Sequence, residues 1–185
     1  LGRAALQVAW WAQGDVPTGP VVFASRWGEI ARSVTLLRQL CRGEALSPTA
    51  FSLSVHNASS AQYSIARGDT ANYTAISAGA GSAAAGLCEA VGLLAAGAPE
   101  VLVVSVDAEL PEPYQAFETH PGPLRAWAVV IEAASPGLRL AAAPPAADDA
   151  QALPADLATL AFLLGRSARW DQRSTQGSWT WSRHG

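Results

Sequence analysis

A glycine-containing turn is the part of this sequence whose residue types and spacing could do chemistry. Gly79, Gly81 and Ala84 follow the pattern Gly-x-Gly-x-x-Ala between a predicted strand and a predicted helix. Such a turn lets the backbone approach a pyrophosphate, and Asp107 ends the next predicted strand, where an acid would bind a ribose. One interpretation is therefore a small dinucleotide-binding module.

The strand before this turn argues against a dinucleotide site. It carries Asn72, Thr74 and Ser77, whereas the corresponding strand of a dinucleotide fold is normally a continuous apolar run. In an alanine-rich chain, a short glycine pattern also arises easily by chance. The turn is therefore open to a second interpretation.

Ser82 and Cys88 are nucleophile types close to the turn. A hydroxyl or thiol nucleophile needs a base, and the sequence supplies none beside them. Ser82 is more simply the cap of the helix that begins there. Cys41 and Cys88 are both predicted to be buried thiols.

The histidines have no metal-ligand spacing to the cysteines or to one another, so neither a metal site nor a cofactor is predicted. They are His56, His120 and His184. His56, beside Asn57, is interpreted as a surface or interface residue.

Hydrophobic periodicity predicts that the turn belongs to a β-α-β crossover. The crossover consists of strand 73–77, helix 82–96 and strand 101–106. Before it we expect helix 1–13, strand 20–25, helix 30–42, an extended segment 48–57 and a short helical segment 61–66. After it we expect strands 125–132 and 138–143, joined as a hairpin at 135–137 that closes one sheet edge. The sequence is therefore of the α/β class.

The ends of the chain differ in composition. We expect a main domain over 1–143, a linker over 144–154 and a C-terminal unit over 155–185, which consists of helix 155–165 and a Trp-rich tail. The tail contains Trp170, Trp179 and Trp181. It is either a strand packing its tryptophans on the domain or a partner-binding strip, since Trp and Arg are common interface anchors.

Composition narrows the function classes. The 185 residues are 50% hydrophobic and 15% charged, as expected for one domain with a buried core. The 12 basic residues are scattered arginines, and the net charge is -3, so no nucleic-acid partner is predicted. There is no apolar run long enough to span a bilayer and no signal-peptide pattern at the start, which predicts a cytoplasmic protein.

A larger set of residues, from Ser47 onward, resembles the N-terminal half of β-ketoacyl synthases of the thiolase superfamily. The resemblance is carried by Ser47-Pro48, Asn57, Ser64-Ile65, Gly68, 74–77, the Gly79-Ala80-Gly81-Ser82 turn, Gly97 and 101–107. It implies a thiolase-like half, a β-α-β-α-β sheet with flanking helices, without the C-terminal thiolase half. The sequence does not start with Met, so the family's first strand would lie before Leu1, in the middle of the sheet.

The resemblance also implies that this chain does no acyl transfer itself. Ala80 occupies the position of the family's acyl-accepting Cys, and a methyl group cannot form a thioester. The family's two active-site histidines belong to the C-terminal half. The chain is similar to the truncated, chain-length-factor-like ketosynthase subunit of aryl polyene biosynthesis. Such a subunit pairs with a full-length β-ketoacyl synthase, and the pair elongates an acyl chain held on an acyl carrier protein.

The turn 79–82 is the elbow of this family. Dimers of the family pair through the strand before the elbow, with the segment 57–63 packed nearby. This implies a partner interface made of two groups of residues. They are Asn57, Ser60, Gln62 and Tyr63 in the first group, and Thr74, Ala75, Ile76 and Ser77 in the second. Pairing would cover an otherwise exposed sheet edge.

Overall fold

The computed structural model of the protein describes residues 1–15, 19–120, 122–134, 137–147, 153–175 and 177–184. The helices are α1 (Gly2–Gln13), α2 (Ile30–Cys41), α3 (Pro48–Ser52), α4 (Ala58–Arg67), α5 (Ser82–Ala95) and α6 (Ala155–Leu164). The strands are β1 (Val21–Ala24), β2 (Tyr73–Ile76), β3 (Glu100–Asp107), β4 (Arg125–Glu132), β5 (Gly137–Ala143), β6 (Arg169–Gln172) and β7 (Ser178–His184). A 3-10 helix spans Glu112–Phe117.

The main sheet has the strand order β2-β1-β3-β4. β1 is parallel to both β2 and β3, whereas β4 is antiparallel to β3. Helix α5 therefore connects β2 to β3 by crossing over β1. This confirms the α/β prediction and the crossover, and it leaves β2 at an edge of the sheet.

Both faces of the main sheet are covered, as expected for a largely parallel sheet. Side chains alternate along β1 and β3: Phe23 and Val104 pack under α1, while Val22 and Val103 pack under α5. Burial of this aliphatic layer, at about 25 cal/mol per Å² of apolar surface, is the main force holding the turn after β2 in place.

Helix α5 lies unusually close to β1 because it presents a glycine there. A Cβ added at Gly86 would lie 3.0 Å from the Cβ of Ala24 and 3.6 Å from Cγ1 of Val22. The glycine at position 86 is therefore a packing requirement.

A second sheet, of order β5-β7-β6, is fully antiparallel. Its core is aromatic: the rings of Phe162, Trp170 and Trp181 lie 5.8 to 5.9 Å apart. Arg183 donates to the carbonyl oxygens of Phe162 at 2.6 Å and Gly165 at 2.8 Å, which caps the end of α6. The tail tryptophans therefore pack on the body of the protein.

Two expectations about the fold were wrong. The extended segment expected over 48–57 contains helix α3, whose start is capped when the side chain of Ser47 accepts from the backbone N–H of Ala50. The strands near 125–132 and 138–143 do not form a hairpin, since β4 joins β3 and β5 joins β7. Most of the turn expected between them, 135–136, lies outside the described residues.

In the middle of the main sheet, β1 and β3 are bonded directly, with Val22 opposite Val103. The strand expected before Leu1 lies outside this sequence, so its place in the sheet stays a prediction. Part of the predicted linker, 148–152, lies outside the described residues, and the division into 1–143, 144–154 and 155–185 stays a prediction. No helix in the described ranges is long and apolar enough to cross a membrane.

Candidate functional site

The turn after β2 is held by its own hydrogen bonds. The hydroxyl of Ser82 donates to the carbonyl oxygen of Gly79 at 2.7 Å and accepts from the backbone N–H of Ala78 at 3.0 Å. Gly79 has a φ of 56°, a conformation that only glycine adopts without strain. Ser82 is therefore committed to shaping the turn, and Ala80 is presented at its tip. The prediction that Ser82 caps the helix was wrong, because the N-cap residue of α5 is Gly81 and no side chain caps the helix.

Asp107 ends β3 beside this turn and is engaged by its own chain. Its carboxylate accepts from the hydroxyl of Ser25 at 3.0 Å and from the backbone N–H of Arg26 at 2.8 Å. Burial raises the pKa of Asp107, and these two hydrogen bonds oppose the rise only in part. The carboxylate ties the end of β1 to the end of β3, so it is not presented as a ribose-binding acid.

An ion pair joins the main sheet to the C-terminal helix at the same site. Nε of Arg125, at the start of β4, lies 3.1 Å from both carboxylate oxygens of Asp156, in the first turn of α6. The Arg125 side chain is 19% exposed and that of Asp156 8%, so the pair is shielded from solvent. Sequence analysis missed this pair; an acid in the first turn of a helix was its only signal.

The turn, Asp107 and this ion pair surround one cavity of about 240 Å³. It lies at the carboxyl ends of β1 and β3, where open α/β sheets usually place their ligand sites. One wall is the turn, with Gly79, Ala80 and Ser82. Other lining residues come from the C-terminal part of the chain: Pro154, Ala155 and Asp156, with Arg173, Ser174 and Thr175.

The strand β2 is an open edge among the described residues, because it is bonded to β1 alone. The backbone N–H of Val21 donates to Asn72, and that of Ser25 donates to Ile76. Since bonding directions alternate along a parallel strand, the backbone groups of Tyr73 and Ala75 point away from β1. A row of outward groups remains for another strand to bind.

The structure places the predicted interface residues in two environments. Asn57 and Gln62 of the first group are exposed, and Thr74, Ala75, Ile76 and Ser77 lie on or beside the open edge. Ser60 and Tyr63, by contrast, are each 1% exposed and face the core. Tyr63 donates to Oε1 of Gln13 at 2.6 Å, so it supports the surface from within.

Of the other candidate residues, His120 lines the cavity, whereas Cys41, Cys88 and His56 do not. The prediction that both cysteines are buried was wrong: Cys41 and Cys88 are exposed free thiols. Cys88 points outward, because Gly86 of the same helix is the residue that faces the sheet. His56 is half-buried, with Nε2 3.1 Å from the carbonyl oxygen of Ile76. The described residues contain no group of three metal-ligating side chains.

The fold and the turn define an α/β domain whose strand-turn-helix elbow lies beside an open edge strand. Over residues 1–182 the chain matches the family model described as beta-ketoacyl synthase, N-terminal domain. The chain therefore belongs to this family, which confirms the resemblance seen in the sequence. Comparison with curated protein sequences gives no match.

Two solved structures show the same fold. A chain in the complex of the ketosynthase ApeO with its chain length factor ApeC from Xenorhabdus doucetiae has a TM-score of 0.88 and 29% identity, and the match covers 98% of this chain and 76% of that one. The ishigamide ketosynthase/chain length factor has a TM-score of 0.55 and 16% identity, with coverage of 70% and 42%. The second likeness concerns the fold alone.

Proposed function

We propose that this chain is a non-catalytic, chain-length-factor-like subunit that pairs with an active β-ketoacyl synthase. The observation that carries the proposal is Ala80 at the tip of the elbow: a methyl group accepts no acyl chain, and the neighbouring Ser82 hydroxyl is occupied within the turn. The solved relative with the higher TM-score comes from a complex of a ketosynthase with its chain length factor. The match covers 98% of this chain and 76% of that relative. The relative is therefore not much longer than the 185 residues of this chain.

The open edge of β2 supplies the physical reason for pairing. Its outward backbone groups, at Tyr73 and Ala75, gain partners when a second strand lies beside them. Asn57, Gln62, Thr74, Ile76 and Ser77 flank this edge and form the remainder of the proposed contact. Exposed apolar side chains nearby, such as Ile65 at 80% exposure, support the proposal of a protein partner.

Within such a pair, the subunit would shape the far wall of the partner's acyl tunnel and thereby limit product length. The proposed context is cytoplasmic fatty acid or polyketide-type elongation of the aryl polyene kind, with the growing chain carried on an acyl carrier protein. Bond chemistry would belong to the partner.

A dinucleotide-binding module is less well supported by the geometry. In that fold the acid follows a strand adjacent to the one before the glycine turn, whereas β1 lies between β2 and β3 here. Asp107 is in addition occupied by Ser25 and Arg26. If millimolar NAD or NADP raised the melting temperature of the protein, that result would support this alternative.

Co-expression with the full-length β-ketoacyl synthase encoded beside this chain tests the proposal. We expect a one-to-one complex by size-exclusion chromatography with mass determination, and elongation activity only when both chains are present. Substituting the exposed Cys88 by Ser should leave this activity in place. A soluble chain that never associates with the ketosynthase would overturn the proposal.

The edge contact itself can be tested with Ala75→Pro. Proline removes the outward N–H of this residue without removing a bond to β1, and an unpaired buried carbonyl on the partner costs about 1–3 kcal/mol. The affinity for the ketosynthase should therefore fall about tenfold to a hundredfold. Ala75→Ser, which keeps the N–H, is the matched control. Equal affinities for the two variants would exclude strand pairing at β2.

A further inference from the structure

We propose that the C-terminal unit is a built-in cover over the elbow cavity, locked by the Arg125–Asp156 ion pair. It would keep substrate-sized molecules away from position 80 whatever residue stands there. The inference concerns the cavity of this chain alone, so its failure would leave the proposed pairing with a ketosynthase untouched.

Two contacts place the C-terminal unit against the elbow. Pro154, which precedes α6, and Ala155, its first residue, line the same cavity as Ala80. From β7, the indole of Trp179 lies against the turn: a Cβ added at Gly81 would be 3.4 Å from its Nε1. The elbow is thus contacted by both the helix and the sheet of this unit.

The remaining space is small for a ligand site. The cavity volume is about 240 Å³, whereas pockets that hold small molecules usually measure about 300–1,000 Å³. We therefore expect the cavity to exclude a thioester with a pantetheine-sized arm while the cover is in place. Loss of the nucleophile and closure of the cavity would be two separate barriers to chemistry at this elbow.

The ion pair is the element that fixes the cover. Asp156 lies in the first turn of α6, and its partner Arg125 begins β4 of the main sheet. Both side chains are largely withdrawn from solvent, so breaking the pair leaves a charge that is more stable in water. Loss of the pair should therefore release the start of α6 from the cavity.

A size-dependent labelling experiment tests the cover. Ala80→Cys introduces a reporter thiol, and the exposed Cys41 serves as the reference in the same sample. Iodoacetamide and its bulky fluorescein derivative are compared by peptide mass spectrometry, and the ratio of the two rates cancels differences in thiol reactivity. We expect this bulky-to-small ratio at position 80 to be at least about tenfold lower than at Cys41, because the cavity excludes the larger reagent.

Opening the cover should restore access. Adding Arg125→Gln with Asp156→Asn removes both charges together and leaves none buried alone, and it should bring the ratio at position 80 within about threefold of that at Cys41. Arg169→Gln, which breaks an exposed ion pair in the same unit, should leave it unchanged. A melting curve for each variant checks folding. An Ala80→Cys thiol as open to the bulky reagent as Cys41 would overturn the proposal, and so would a double variant that folds and stays closed.

Discussion

The two sheets of this protein are stabilised in different ways. The main sheet carries interdigitated aliphatic side chains on both faces, with Val22 and Val103 on one side and Phe23 and Val104 on the other. The C-terminal sheet instead depends on stacked aromatic rings and on one arginine that caps a helix. A continuous aliphatic layer tolerates the loss of single contacts, whereas a small aromatic cluster concentrates its stability in a few residues.

The largest effect is expected in the C-terminal sheet. Trp181 is 2% exposed, stacks on Trp170 and lies tilted against Phe162, so Trp181→Ala should lower the free energy of unfolding by about 3–5 kcal/mol. Urea denaturation measures this. Trp11→Ala, at a residue 73% exposed, should stay within about 0.5 kcal/mol of the parent. A loss at Trp181 no larger than at Trp11 would mean that the aromatic cluster contributes little.

A smaller effect is expected where the main sheet meets α5. Gly86→Val places a branched side chain against Ala24, where even a Cβ would lie at 3.0 Å, and should cost about 1–3 kcal/mol. Gly92→Val is the matched control on the same helix, because a Cβ at Gly92 would meet nothing within 4 Å. Equal stabilities of the two variants would show that α5 can move away from the sheet at no cost.

The cap on α6 should contribute less again. Arg183→Ala removes the donors to Phe162 and Gly165 and should cost about 1–2 kcal/mol, as expected for hydrogen bonds from a charged group that is partly exposed. Arg169→Ala, in the same sheet but with an exposed partner, should cost at most about 1 kcal/mol. Urea denaturation measures the loss of unfolding free energy in both variants. A loss in Arg169→Ala as large as the loss in Arg183→Ala, or larger, would contradict the capping role of Arg183.

The two sheets also differ in how far they could be predicted. Strands β1 and β3 follow from short continuous apolar runs, because they are buried along almost their whole length. Helices α1, α2 and α5 follow from hydrophobic periodicity, because one face of each is buried. The family and Ala80 at the elbow followed from the resemblance. Periodicity could not reveal which strands are neighbours, so the expected hairpin of β4 with β5 was wrong.

The remaining misses come from contacts between distant residues. Asp156 pairs with Arg125, which lies 31 residues earlier, and neither residue alone signals the other. Tyr63 and Ser60 were predicted at an interface from their place in a segment, yet the rotation of α4 turns them inward. Cys88 was predicted to be buried because α5 is apolar overall, although the helix meets the sheet through Gly86 and Ala90.

Two aspartates, one in each sheet, provide the smallest and most specific test of the comparison. Burial raises the pKa of Asp107 in β3, so the native state holds this proton more tightly than the unfolded chain does. Its carboxylate then lowers stability as pH rises from the ordinary value of about 3.9 through the raised pKa. Asp107→Asn keeps an acceptor for Ser25 and Arg26, and should therefore gain stability relative to the parent as pH rises.

Asp171 in β6 should behave in the opposite way. The Thr180 hydroxyl and Arg169 lower the pKa of Asp171, so its stabilising contribution is present above the ordinary carboxyl pKa and is lost as pH falls through the lowered one. Asp171→Asn should be less stable than the parent near neutral pH and equal to it in acid. Denaturation series from about pH 3 to about pH 8 measure the unfolding free energy of each variant relative to the parent. As pH rises, this difference should increase for Asp107→Asn and decrease for Asp171→Asn. If the difference changed with pH in the same direction for both variants, burial would not control the pKa of Asp107. The main sheet would then accommodate this carboxylate as readily as the C-terminal sheet accommodates Asp171.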